Sequence, residues 1–142
     1  MKLLILFVSF ILISIKIASA SDLSCQYTDA SIVVDNCDKE CRSKDNGNET
    51  CKFNIKHNVM SECEKDVEIF YSCQVFIEYS PDGLFSQSIR TSTNAVGSVV
   101  AHAGKGNGTV NVLWDSIIPV KNVKVTKVNC YPTDTYPIDE QK

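Results

Sequence analysis

Seven cysteines constrain this chain more than any other feature. They stand at Cys25, Cys37, Cys41, Cys51, Cys63, Cys73 and Cys130, all beyond an apolar leader. The leader begins with Lys2 and runs almost unbroken in apolar residues from Leu3 to Ile15. That is the length of a signal-peptide core and too short for a membrane span, which needs roughly 20 apolar residues. "IASA" then offers small residues for cleavage after Ala20. The expectation is a signal peptide over 1–20, a secreted chain, and an oxidising surrounding in which cysteines pair. An odd count leaves one thiol over. Seven choices of the odd residue and about 15 pairings of the other six give about 105 arrangements. Two pairings of Cys130 stay open: with Cys73, as a bridge across a sandwich, or with Cys25, joining the ends of the domain. The leftover thiol is the candidate for a disulfide-linked dimer.

Without the leader 122 residues remain, enough for one domain with a core. The net charge moves from −3 to −5, because the leader takes two lysines and no acid with it. A modestly acidic domain is a poor match for nucleic acid, which needs a concentrated basic surface. Beyond the leader no apolar stretch is long enough for a membrane span.

Residues 21–130 read as a single β-rich domain. In "DVEIFYSCQVFIEYS", Val67, Ile69, Tyr71, Cys73, Val75, Ile77 and Tyr79 alternate without a break. That period marks a long, half-buried strand. "SPDG" turns it, and "LFSQSIRTS", with Phe85 and Ile89 on one face, returns. "AVGSVVAHA", "TVNVLW" and "VKNVKVTKVNC" give further strands. In the last of these, Val123 and Val125 fall on one face and Val128 and Cys130 on the other. Lys121, Lys124 and Lys127 between them are solvated. The first third holds five cysteines among polar residues and reads as loop-rich and stapled, with short strands at "SIVVD" and "CKFNIKH". Ser61 and Glu64 have the spacing of a capping box, so a helical turn is expected near 59–66. Residues 131–142, with two prolines and three acids, read as a flexible acidic tail. The fold class is all-β: an antiparallel sandwich or small barrel of about six to seven strands. Trp114 stands roughly forty residues after Cys73 rather than the dozen of an immunoglobulin domain, so that signature is absent.

"AHAGKGNGTV" is the one stretch that looks like a phosphate loop. A Walker A loop fails at Val99, which replaces the first glycine, and at Gly106, which replaces the hydroxyl. A dinucleotide loop fails at Thr109. Asn107-Gly108 reads instead as a hairpin turn. Asn107-Gly108-Thr109 and Asn48-Glu49-Thr50 are also N-glycosylation acceptors. His57 and His102 are the two histidines, and neither lies in a catalytic motif. Cys37, Cys41, Cys51 and His57 hold a zinc-like spacing, but secreted cysteines pair with each other instead. No catalytic residue, metal or cofactor is therefore expected.

These readings point to a secreted, non-enzymatic protein that binds an extracellular protein or a small apolar or glycan ligand. Toxins, salivary proteins, effectors and other host-interacting factors play roles of this type. Two alternatives are a carrier of lipid or sugar between the sheets, and an inhibitor of a secreted hydrolase acting through residues 37–51.

Overall fold

The computed structural model describes residues 25–83 and 87–138. The leader, Phe85 and residues 139–142 lie outside this range. After a 3-10 turn at Tyr27–Asp29, six strands follow: β1 (Ala30–Ser43), β2 (Glu49–Ser61), β3 (Val67–Pro81), β4 (Ile89–Ala101), β5 (Lys105–Asp115) and β6 (Val120–Pro137). They form two three-stranded sheets in the orders β1-β2-β5 and β4-β3-β6. Every pairing is antiparallel. The fold is an all-β sandwich.

Alternation builds the core. From β2, Cys51, Phe53, Ile55, His57 and Val59 point inward, and from β3 Val67, Ile69, Tyr71, Cys73, Val75 and Ile77 do the same. Val110 and Val112 of β5 meet them. Each central strand is buried on one face, which fixes its register because a slip of one residue would turn the whole apolar set outward.

The first third is stapled but is not loop-rich. β1 and β2 form one long hairpin, registered from Ala30↔Ser61 to Ser43↔Glu49. Polar residues in β1 had suggested loops. They face solvent there because β1 is an edge strand with one face outward. The region 59–66 is not helical either. β2 runs through Ser61, whose hydroxyl accepts from the Cys63 N–H at 3.1 Å. The segment over 62–66 carries the chain to the other sheet.

Residues 131–137 are strand rather than tail. β6 continues through Pro137 and pairs with the first half of β3, as in Tyr131↔Ser72 and Pro137↔Val67. Tyr136 packs edge-on against Phe70 at 5.5 Å and donates its hydroxyl to Asp134. An edge strand tolerates prolines, since only one side of its backbone is hydrogen-bonded. The long apolar face of β3 would otherwise lack a neighbour here.

The conflicting periods in β6 also have a cause. Lys127 pairs with Phe76 and Val125 with Ile77, so Thr126 is an extra residue, a β-bulge. Its hydroxyl donates to the Phe76 carbonyl at 3.2 Å. The bulge resets the alternation, and Val123, Val125, Val128 and Cys130 all join the core.

Candidate functional site

The cystines are Cys25–Cys63, Cys41–Cys51 and Cys73–Cys130. Cys41 and Cys51 are direct partners across β1 and β2, and Cys73 and Cys130 across β3 and β6. The Cys73–Cys130 bridge therefore joins two strands of one sheet and does not span the sandwich. Cys25–Cys63 ties the chain entering β1 to the connection after β2. The odd residue is Cys37, half-buried against the core. Burial, and then the Asp38 charge, push its thiol pKa up, which keeps it a poor nucleophile. Cys37 is registered opposite Ile55, not His57. A zinc set of Cys37, Cys41, Cys51 and His57 is ruled out by the bridge that consumes two of its ligands.

The glycine stretch turns earlier than its sequence indicates. The reversal is at Ala103-Gly104, with φ of 48° and 77°. His102 and Lys105 exchange backbone hydrogen bonds on either side. Positive φ at both central residues is the geometry of a type I′ turn. Asn107-Gly108 lies inside β5, opposite Asn58 and His57. The position is set by β2, whose inward residues need Val110 and Val112 as neighbours. The Asn107 side chain is exposed, and Asn48 is partly exposed at the end of the β1–β2 turn.

The histidines are far apart in character. His102 is exposed, and its Nδ1 lies 2.6 Å from an Asp66 carboxylate oxygen. That hydrogen bond, aided by the Ala103 N–H, holds the Asp66 carboxyl below the usual carboxylate range. The pair fastens the turn to the start of β3. His57 is buried in the core. The period "KFNIKH" carries this signal, since Phe53, Ile55 and His57 share one parity, and sequence reasoning left it unused.

The surface offers one feature that sequence reasoning missed. Between the free edges of β1 and β6 runs a groove of about 600 Å³, lined by Ile32, Val33, Val34, Val128, Asn129 and Tyr131. Val33 and Tyr131 are about half exposed, at 49% and 52%. The Lys39 ammonium crosses the gap farther along and donates to the Val123 carbonyl. No periodicity within either strand reports this groove, because it exists only where two distant edges meet.

Fold and surface together define a disulfide-stapled β-sandwich, six-stranded among the described residues, with an open lateral groove. No family model, curated protein or solved structure matches the chain.

Proposed function

We propose that this chain is a secreted binding protein that takes an extended segment of an extracellular protein in the β1/β6 groove. The carrying observation is the groove itself: a mostly apolar lining between two edge strands, each of which has a strand neighbour on one side only among the described residues. Edges of this kind accept an added strand through main-chain hydrogen bonds, while alternate side chains enter apolar pockets. Three internal cystines are compatible with an extracellular setting, and no helix among the described residues is long and apolar enough to cross a membrane. Binding is favoured over catalysis by the separation of the reactive groups. Cys37 does not face His57, and the hydrogen-bond partner of His102 is the carboxylate of Asp66, in the connection that leads into β3. A dimer linked through Cys37 would have to draw this half-buried thiol out of its packing against the core.

The test is site-specific photocrosslinking. A photoreactive residue is placed at Val33, at Tyr131, or at Lys52 on the outer face of β2, and the protein is incubated with extracellular fluid from its source. Adducts are expected from the two groove positions and are expected to vanish when the other groove residue is changed to aspartate. Equal yields at all three positions would sink the reading.

The inhibitor reading draws support from the cystine-closed hairpin, whose tip at 44–48 is tied to the neighbouring chain by the Val120 N–H donating to the Gly47 carbonyl at 3.3 Å and by Lys44 pairing with Asp115 at 2.9 Å. The carrier reading would place a small apolar ligand in the same groove, whose lining is mostly apolar. We also propose glycans at Asn48 and Asn107. Enzymatic deglycosylation of protein secreted from a glycosylating host is expected to lower its mass, with the loss abolished in the double variant Asn48→Gln, Asn107→Gln.

A further inference from the structure

His57 occupies a place where an apolar side chain would be ordinary. It is 1% exposed, and neither Nδ1 nor Nε2 has a hydrogen-bond partner. Buried polar atoms in native folds are nearly always satisfied, so the exception calls for a role. The ring meets Tyr71 of the opposite sheet edge-on, with centroids 4.4 Å apart and planes at 65°. Two glycines make room for the pair. A Cβ on Gly108 would lie 2.7 Å from His57 Nε2, and one on Gly97 would lie 2.6 Å from the Tyr71 hydroxyl. At this level β4 and β5 contribute backbone only, and the two rings fill the space between the sheets.

The ring's surroundings hold little to stabilise a positive charge. From β1, Val34 is registered opposite His57, and the adjacent Asp35 has its carboxylate oxygens taken by the Asn58 amide at 2.7 and 2.8 Å. From β3, the titratable group is Tyr71, whose own pKa is raised by burial. β4 and β5 present Gly97 and Gly108, and β6 places Pro132 level with Tyr71. On β2 the inward neighbours are Ile55 and Val59. Burial pushes the His57 pKa down. The Ile55 backbone carbonyl, from outside hydrogen-bond geometry, and the Asp35 charge pull the other way.

We propose that His57 is an acid-sensitive latch between the two sheets, closed when the imidazole is neutral and released when it takes a proton from solvent. The imidazolium carries two N–H donors and needs an acceptor for each. It would face a phenol ring, glycine backbone, aliphatic side chains and the Ile55 carbonyl, which does not meet hydrogen-bond geometry, and burying a charge without an acceptor for each N–H is costly. In the unfolded chain the ring takes its proton at the ordinary value of about 6.5. In the folded chain it does so only at lower pH. The latch's contribution is therefore complete above about pH 6.5 and is lost as pH falls through that value toward the folded one. A protein built this way holds its surface at neutral pH and gives it up on acidification. The latch does not rest on the groove reading, and either can fail without the other.

The chain has two histidines, which makes the test clean. Melting temperature is followed from about pH 7.5 to about pH 5, the range in which histidine titrates, for the native chain, His57→Phe and His102→Gln. The native chain and His102→Gln are expected to lose melting temperature together, and His57→Phe is expected to lose markedly less. An equal loss in His57→Phe overturns the latch. Should phenylalanine not fit beside Gly108, the ring protons of native His57 are followed by NMR. Their staying at the neutral position until the fold is lost supports the proposal. Reversible titration at or above the ordinary histidine pKa, with the fold intact, overturns it.

Discussion

Replacing Cys73 and Cys130 together by alanine is expected to lower the free energy of unfolding by about 4 kcal/mol, the chain-entropy value for a loop of this length. The bridge spans 57 residues, and Cys73 is fully buried. Releasing it enlarges the unfolded ensemble and removes buried sulfur from the core at once. The matching change at Cys41 and Cys51 opens a loop that spans only 10 residues. It is expected to cost about 3 kcal/mol on the same scale. Urea unfolding with a comparison of midpoints reads both values. A larger loss at the short bridge would show that the long one adds little to the packing between β3 and β6.

The second large effect is expected at Gly104. Its φ of 77° is in the left-handed region, and a Cβ there would approach the Ser61 carbonyl oxygen to 2.5 Å. That oxygen belongs to backbone and has no flexible end to swing aside. Gly104→Ala thus combines left-handed strain of about 1–2 kcal/mol with overpacking of about 1–3 kcal/mol. A total loss of roughly 2–5 kcal/mol follows if the two add. Gly83→Ala is the control, since nothing lies within 4 Å of its Cβ position and its φ is ordinary. Equal stability of the two variants would mean that the reversal does not depend on Ala103-Gly104.

The contrast with Asn107-Gly108 shows where the sequence was a sufficient guide. An Asn-Gly pair flanked by valines is a strong local hairpin signal, and locally it was misleading. Two residues in the wrong place cannot outweigh a strand whose Val110 and Val112 must face Phe53 and Ile55. The long β3 was legible because its period is unbroken and its face fully apolar. β6 was legible only in halves, since a bulge such as that at Thr126 breaks the period without leaving a distinctive residue. The polar end of β6 was hidden because its reason for being a strand is β3, some sixty residues earlier. The pairing of Cys73 with Cys130 was one of two alternatives, and register decided between them. The groove was not legible at all, for it belongs to no segment.

The strand order has a consequence for how the molecule is made. β3 is central in its sheet, with β4 on one side and the final strand β6 on the other. During synthesis β3 and β4 can pair early, but the second edge of β3 has no partner until residues 120–137 have emerged. Through that interval a buried-type strand with Ile69, Val75 and Ile77 stays open along one side, while the first hairpin is already present. Long-range strand pairing is slow and leaves such edges exposed to association. Carboxy-terminal truncation before β6 should therefore yield a sticky, incompletely paired chain rather than a smaller stable domain.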